Sequence, residues 1–417
     1  MKQMVRAFVV AGLLFGFTQA LAQTRIVYWQ YEFGTRVDAM SQLIAQFNAE
    51  NPDIEVVQET FPYDGYLQQV PTAVAAGGGP DVAQLYYGWV HAWSRAGYID
   101  PLPEEYFPAD EVAAYFVPMV DSVKIDGRYY GLPTAVRSLA LFYNKDMYRA
   151  AGLDPDSPPT TWDQFVEYAQ ALNISDALGF SQIGYGFGGQ DHHLVRTVLM
   201  NQLGTPPFSP DGEVLYGNEI GEQALATFTG WELNDQIGVT NFVPGTSGYR
   251  DGFITQASIA MIIDGSFAIG QVTNGAQFEW GVAELPTFDN GVRSNFGSFF
   301  MNGITPNASS DPVKLEAASR FIKFVTSEDA MRLWLDVVGE LPAARSLLDD
   351  AELAADPVYG PFLAGLAYAE ATQFVDEVAQ RNVFLDAINR VLLEGMDPGE
   401  SIRIAAAEDQ ALWDQFR

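Results

Sequence analysis

Two parts of the sequence carry side chains that could hold a small ligand. Tyr86-Tyr87-Gly88-Trp89 follows a predicted strand at 81–85, and open α/β sheets bind ligands at the carboxyl ends of their strands. We expect Tyr86 or Tyr87 to face a ligand; core packing is the alternative. Arg137 could hold a carboxylate, sulfonate or phosphate, or neutral hydroxyls. A salt bridge is the alternative role for its guanidinium.

Few residues could support disulfide, metal, cysteine or nucleotide chemistry. The chain has no cysteine, which excludes disulfides, thiolate metal sites and cysteine nucleophiles. Its three histidines are His91, His192 and His193, and a metal site at the last two would lack a nearby third ligand. The segment 184–189 fits the dinucleotide pattern G-x-G-x-x-G, but it does not open a first βαβ unit, as that role requires. We therefore predict no metal and no cofactor.

The first 22 residues are predicted to be a secretory signal peptide. Lys2 and Arg6 precede an apolar core from Phe8 to Phe17, and Ala20-Leu21-Ala22 has the small-x-small form of a cleavage site. No cysteine stands at the predicted cut after Ala22, so no lipid anchor is expected there. We expect a protein exported to a periplasm, without a membrane anchor and monomeric.

The charge balance disfavours polyanionic partners. The formal net charge is −31, and removal of the two basic residues of the signal peptide makes it −33. Such a charge opposes binding to nucleic acid or to an anionic membrane. Solubility is the simpler explanation of the acidic surface.

Strands and helices are predicted to alternate along the chain, as in α/β layers with mostly parallel sheets. The segment from Tyr130 to Trp162 is central to this organisation. It begins as a strand, contains the apolar run 139–143, and reaches a helix with a threonine cap at Thr161. We interpret it as the passage from one lobe, through a hinge, into another.

The sequence resembles the carbohydrate-binding group of extracellular solute-binding proteins of ABC importers, which includes maltose-binding protein. The resemblance runs through nearly the whole mature chain, in a fixed order. It rests on the segments 47–54 (FNAENPDI), 76–82 (AGGGPDV), 97–102 (GYIDPL), 130–133 (YGLP), 142–147 (FYNKDM), 159–162 (PTTW), 259–261 (IAM), 264–267 (DGSF), 317–329 and 339–343 (GELPA).

This resemblance implies an α/β fold of two lobes, each an α/β sandwich, that close over a ligand by hinge motion. The N-terminal lobe would comprise 23–134 and 287–341, and the C-terminal lobe 138–283 and 345–417. The hinges would lie near 134–138, 283–287 and 341–345. The membrane subunits of the importer would be the protein partner, and a sugar or oligosaccharide the ligand.

The resemblance also suggests which residues line the cleft. Aromatic rings would stack on the sugar and polar groups would bind its hydroxyls. Phe267 stands where the family commonly has tryptophan, and Arg137 stands where an acidic residue is often found. The expected ligand-binding residues are Tyr31, Glu32, Tyr86, Tyr87, Arg137, Gln190, Asp191, His192, Tyr249, Asp264, Phe267, Gly297 and Ser298, with Arg250 at the rim.

Three alternatives remain open at the level of sequence. Arg137 could make the ligand an anionic sugar derivative, such as a sugar acid, phosphate or sulfonate. A secreted carbohydrate-active enzyme with paired carboxylates is a second alternative, although neither G-x-S-x-G nor H-E-x-x-H is present. A signalling co-receptor or scaffold with the same fold is the third. The binding protein, without catalysis of its own, is the main prediction.

Overall fold

The computed structural model describes residues 23–209, 212–245 and 247–416. The predicted signal peptide therefore lies outside the described residues. The strands are β1 Thr24–Tyr31, β2 Ile54–Phe61, β3 Val82–Tyr86, β4 Lys124–Ile125, β5 Arg128–Tyr129, β6 Leu132–Arg137, β7 Leu139–Asn144, β8 Ile174–Asp176, β9 Gly179–Tyr185, β10 Ile259–Gly265, β11 Trp280–Ala283, β12 Asn295–Phe296, β13 Ser298–Ile304, β14 Leu341–Pro342 and β15 Ala369–Glu370.

Helices surround these strands. They are α1 Gly34–Glu50, α2 Tyr63–Ala75, α3 Val90–Arg95, α4 Ala109–Tyr115, α5 Lys145–Ala150, α6 Trp162–Leu172, α7 Asp191–His193, α8 Met200–Gln202, α9 Glu219–Leu233, α10 Gly248–Ile254, α11 Ile269–Gly275, α12 Pro306–Ser309, α13 Pro312–Val325, α14 Glu328–Val338, α15 Arg345–Leu348, α16 Ala351–Ala355, α17 Tyr359–Leu366, α18 Glu377–Leu392 and α19 Pro398–Phe416. A π-helical segment, Leu194–Leu199, joins α7 to α8.

Two sheets form the centres of two lobes. The first has the strand order β14-β6-β13-β3-β1-β2, and the second has the order β11-β7-β10-β9-β8. Among the described strands of these two sheets, three neighbouring pairs are parallel: β1 with β2, β1 with β3, and β9 with β10. The sheets are therefore mixed, whereas mostly parallel sheets were predicted. The reason is that β13 inserts antiparallel between β3 and β6, and β7 lies antiparallel between β10 and β11.

In both lobes, the residues that lie between the sheet and its covering helices are apolar. All six residues of β7 are buried, as are all seven of β10, which is the pattern of strands covered on both faces. Helix α6 begins at the predicted cap, where the Thr161 side chain accepts a hydrogen bond from the backbone N–H of Gln164. The α/β fold with two lobes is thus as predicted.

The chain changes sheet three times. The first change falls at Ser138, between β6 and β7, within the predicted hinge 134–138. The second comes later than 283–287, because Thr287 still forms a bridge with Thr161 and Asn290 Nδ2 still donates to the Gln202 carbonyl. The chain joins the first sheet only at β13.

The third change of sheet comes after the segment 341–345. At 341–345, β14 still pairs with β6, and Arg345 Nε donates to the carbonyl of Phe116 at 2.6 Å. Helix α17 contacts the second sheet, where Phe362 packs on Phe142 with ring centres 5.6 Å apart. The change of lobe depends on long-range contacts, which the local sequence does not encode.

No helix among the described residues is long and apolar enough to cross a membrane.

Candidate functional site

A cavity of 430 Å³ opens between the two lobes. Phe33, Gly34, Thr35 and Val338 line it from the first lobe. Its other wall belongs to the second lobe and consists of Phe267, Gly270, Gln271 and Asn274. Ligand pockets in proteins have volumes of about 300–1,000 Å³, so the space suits a small molecule. Both lobes would contact such a ligand at once.

Glu340 lies close to this cleft, two residues after the lining residue Val338. Helix α14 ends at Gly339, whose φ of 82° is the left-handed conformation that glycine adopts without strain. Glu340 follows directly. Its Oε1 accepts hydrogen bonds from Arg36 Nη2 and from Arg137 Nε, both at 2.5 Å, and its Oε2 accepts one from Trp334 Nε1 at 2.9 Å. One carboxylate therefore holds two arginines.

The pKa of Glu340 reflects this environment. Burial is the largest influence and opposes ionisation, but the charges of Arg137 and Arg36, with hydrogen bonds from Trp334 and Arg36, outweigh it and lower the pKa to about 2. Burial and the neighbouring Arg137 lower the pKa of Arg36 to about 10. At neutral pH both groups are therefore charged.

The aromatic side chains of the cleft lie around these arginines. The Arg36 guanidinium carbon is 4.1 Å from the ring centre of Phe33, and that of Arg137 is 4.8 Å from Phe300. Tyr31, the last residue of β1, accepts a hydrogen bond from Arg36 Nη1, and its ring centre lies 4.7 Å from that of Phe300. Cation–π contacts of this kind fix a guanidinium against a ring face.

The second lobe contributes a matching pair, Arg250 and Asp264. Arg250 donates to both carboxylate oxygens, from Nε to Oδ2 and from Nη2 to Oδ1, the latter at 2.9 Å. Tyr249 Oη and the backbone N–H of Gly265 also donate to Asp264. Phe267 lies beside this pair, 5.1 Å from the guanidinium carbon of Arg250 and 5.3 Å from that of Arg137. Phe267 therefore lies near arginines of both lobes.

The structure thus brings together five predicted site residues: Tyr31, Arg137, Tyr249, Asp264 and Phe267. Tyr86 touches the same group, 5.4 Å from Phe300. Glu32 follows Tyr31 and is exposed. Asp264 is fully buried, with both oxygens occupied by protein donors. In this conformation it positions Arg250 and Tyr249, and its contact with a ligand stays a prediction.

The loop before α7 connects to this group through Tyr249. A Cβ atom on Gly188 would lie 2.3 Å from Tyr249 Cδ1, so the ring lies directly on the glycine backbone. Asp191 Oδ2 accepts from the N–H of Gly188 at 2.6 Å, and burial raises the pKa of Asp191 to about 8. Gln190 is half-buried beside it. Asp191 therefore shapes the loop.

Two further predicted residues, Tyr87 and His192, lie in a second group at the lobe contact. Tyr87 stacks on Phe299 and lies 5.9 Å from Phe374. His192 is buried beside His193, whose ring stacks on Phe296 at 3.6 Å. The last two predicted residues lie at the start of β13. Gly297 is packed against Met119, and Ser298 pairs with Arg137 in the sheet.

The sequence interpretation missed Arg36, Phe33, Phe300, Trp334 and Glu340 as parts of the site. Glu340 lies in the segment 339–343 that carries the family resemblance, so that segment could have signalled a buried carboxylate. Arg36 gave no comparable signal. Its partner is 304 residues away in the sequence, and only the fold brings the two together.

The buried histidines make stability depend on pH. Burial lowers the pKa of His192 and His193 well below 6.5, helped by Arg196 near both and by His192 next to His193. The folded protein therefore binds fewer protons than the unfolded chain below pH 6.5, and the stability due to neutral histidines is lost as pH falls through that value. We expect the variant His192→Gln/His193→Gln to lose less stability than the wild type between pH 7 and pH 5.5.

Urea unfolding at the two pH values measures this difference. The variant His91→Gln, which removes a histidine outside this pair, is the comparison. An equal loss of stability in the double variant and the wild type would show that the pair does not contribute.

The fold and the cleft define a ligand-binding protein of two lobes. The chain belongs to the family of bacterial extracellular solute-binding proteins, whose family model matches residues 34–332.

Three known proteins illustrate the likeness. The sn-glycerol-3-phosphate-binding periplasmic protein of Escherichia coli K12 is 26% identical over 353 residues, which are 79% of this chain and 76% of that protein. The cyclic α-maltosyl-1,6-maltose binding protein of Arthrobacter globiformis has a similar structure, with TM-score 0.80 and 19% identity over 94% of this chain and 100% of that one. An ABC transporter solute-binding protein of Thermotoga lettingae TMO, bound with α-D-tagatose, gives TM-score 0.79 and 23% identity over 94% and 100%.

Proposed function

We propose that this chain is the periplasmic solute-binding protein of an ABC importer and that its ligand is a sugar or another small polyhydroxylated molecule. The lobes would close over the ligand, and the closed protein would deliver it to the membrane permease. The chain would act as a monomer, exported by its signal peptide and without a lipid anchor or catalysis of its own. The observation that carries the proposal is the cavity whose walls come from both lobes.

The chemistry of the walls supports a polyhydroxylated ligand. Phe33 and Phe267 line the cavity from different lobes, and aromatic faces suit the apolar faces of sugar rings. The side-chain amides of Gln271 and Asn274 lie in the same wall and carry both donors and acceptors for hydroxyls. The three similar proteins bind, by their names, a maltosyl-maltose ring, tagatose and glycerol 3-phosphate.

Two measurements test the proposal. Native mass spectrometry of gently purified protein would reveal a ligand retained from the cell, and thermal unfolding against a panel of sugars and polyols would show which one stabilises the fold. A ligand that binds only the folded state raises the melting temperature. If no polyhydroxylated compound in the panel raised it, the proposal would be contradicted. Turnover of a bound sugar would favour the enzyme alternative.

Phe267 provides the sharpest single-residue test. We expect Phe267→Ala to weaken binding of the best ligand about tenfold, because one stacking face contributes about 0.5–1.5 kcal/mol beyond its buried area. Isothermal titration calorimetry measures the change. Phe288→Ala is the matched control, since Phe288 is similarly half-buried but lies on the segment between β11 and β12. Unchanged affinity in Phe267→Ala would remove Phe267 from the site.

A further inference from the structure

Five charged side chains form one group across the cleft, which we call the cleft charge cluster: Arg36, Arg137, Glu340, Arg250 and Asp264. The first three belong to the first lobe and the last two to the second. Their side chains are 3%, 9%, 2%, 17% and 0% exposed. The charges of Arg137, Glu340 and Arg250 all influence Arg36, so the lobes share one electrostatic site.

The cluster has one positive charge too many. Three guanidinium groups face two carboxylates, and arginine keeps its proton in proteins. The acidic residues near the cluster do not neutralise its surplus positive charge. Asp251 is exposed to solvent, and Glu377 is paired with Arg381 at 3.3 Å. Asp191, near Asp264, is buried with its pKa raised to about 8 by that burial, so it is largely protonated at pH 7. The surplus is opposite in sign to the chain's net charge of −31.

Some N–H donors of the cluster have no hydrogen-bond acceptor among the described residues. Among the described residues, no acceptor is bonded to Nη1 or Nη2 of Arg137 or to Nη1 of Arg250, since Arg137 bonds Glu340 through Nε and Arg250 bonds Asp264 through Nε and Nη2. Both guanidinium groups lie within 5.3 Å of the centre of the Phe267 ring. Phe267 is in turn a wall of the cavity between the lobes.

Each arginine of the cluster contacts a carboxylate, but together they carry one positive charge more than the two carboxylates. Such a surplus is costly in a buried site, because the charge has lost its water without gaining a full counter-charge. An oxyanion that enters when the lobes close would supply this charge and accept the unused N–H groups. Guanidinium groups bind carboxylate and phosphate oxygens through paired, charge-assisted hydrogen bonds. A neutral sugar would leave the surplus in place.

We propose that the ligand is an anionic polyol, that is, a small polyhydroxylated molecule with a phosphate monoester or a carboxylate. The anionic group binds the free edges of Arg137 and Arg250, and the hydroxylated part occupies the cavity beside Phe33 and Phe267. This inference rests on the proposed function and specifies its ligand. It also changes the role of Arg137: its guanidinium is shared between Glu340 and the ligand.

Matched pairs of probes test the inference on the wild-type protein. The pairs are glycerol with glycerol 3-phosphate, glucose with glucose 6-phosphate, and glucose with glucuronate; titration calorimetry gives the affinities. We expect the anionic member of at least one pair to bind tenfold or more tightly than its neutral partner, and more weakly as salt is added. The phosphate and carboxylate pairs separate the two kinds of anion.

The outcomes separate the two proposals. If neutral probes or other neutral sugars bound and no anionic probe bound more tightly, the anionic ligand would be overturned while the proposed function stood. If neither these probes nor any sugar bound, the proposed function would fail and this inference with it.

Charge variants then test the cluster. Arg137→Gln reduces its net charge from +1 to zero, and the double variant Arg137→Gln/Glu340→Gln returns it to +1. We expect the single variant to reduce the ratio of anionic to neutral affinity about tenfold or more, and the double variant to recover part of that ratio. Arg149→Gln removes the same charge from an exposed salt bridge and should leave the ratio unchanged. An unchanged ratio in Arg137→Gln would overturn the assignment, and because it is a ratio, loss of folded protein does not imitate the effect.

Discussion

Replacing Glu340 by glutamine is expected to lower the free energy of unfolding by about 3–5 kcal/mol, the usual cost of removing one partner from a buried ion pair. The substitution preserves shape and removes only the charge. Arg36 and Arg137 would then stay buried without a counter-charge, since both donate to the same carboxylate oxygen at 2.5 Å. Urea unfolding followed by circular dichroism measures the loss.

The control for this prediction is Glu352→Gln, the same change at an exposed position of α16. It should alter stability by less than about 0.5 kcal/mol, as surface substitutions usually do. A loss of that small size in Glu340→Gln would show that the two arginines find another partner or reach water. The double variant Arg137→Gln/Glu340→Gln should be more stable than Glu340→Gln alone, because one of the two unpaired cations is gone.

The ion pairs of Glu340 with Arg36 and Arg137 also make the stability depend on pH in the acidic range. The pKa of Glu340 is about 2 in the fold against 4.5 as its ordinary value. A lowered pKa means that the carboxylate contributes its full stability above pH 4.5 and loses it as pH falls towards 2. The difference in stability between wild type and Glu340→Gln should therefore shrink over that interval. A constant difference would contradict the ion pair.

Placing leucine at Gly88 is expected to weaken ligand binding about a hundredfold by keeping the lobes apart. Gly88 lies just after β3 in the first lobe. A Cβ atom there would be 2.9 Å from Tyr86 Cε1 and 3.0 Å from both Phe374 Cδ2 and Glu377 Cγ. Phe374 precedes α18 and Glu377 is its first residue, and α18 packs on α19 and α9 in the second lobe. A leucine side chain at this position must displace Phe374 and Glu377, and this would hinder closure of the lobes.

The size of the effect follows from the population of closed protein. If only one molecule in about a hundred can close, the apparent dissociation constant rises by the same factor. Titration with the best ligand measures the affinity, and small-angle scattering measures the radius of gyration, which should stay large when ligand is added. The matched control is Gly65→Leu, since no atom of the described residues beyond the chain neighbours of Gly65 lies within 4 Å of a Cβ at that position. Wild-type affinity in Gly88→Leu would show that the lobe contact at Gly88 is not part of the bound state.

Features with local causes could be predicted from the sequence. The strand up to Arg137, the apolar strand after it and the threonine cap of α6 depend on neighbouring residues, and the structure contains all three. The order of family segments predicted the two-lobed fold. Mixed sheets were not predicted, since the position of β13 between β3 and β6 depends on pairing across more than a hundred residues.

The role of Arg137 could not be decided from neighbouring residues in the sequence. The sequence placed it at the end of a strand in a hinge and left open a salt bridge or a grip on an anion. The structure shows the salt bridge, made with a glutamate 203 residues away, and no acceptor in the described part of the chain is bonded to the two Nη atoms of Arg137.

The sequence by itself determined that this is an acidic, cysteine-free α/β chain with the segments of the solute-binding family, because composition and local pattern are properties of the chain alone. Only the tertiary structure decided that Arg36, Arg137 and Arg250 meet two carboxylates at one cleft. A balance of buried charges depends on distances in space, and the fold sets those distances by joining residues from both ends of the chain.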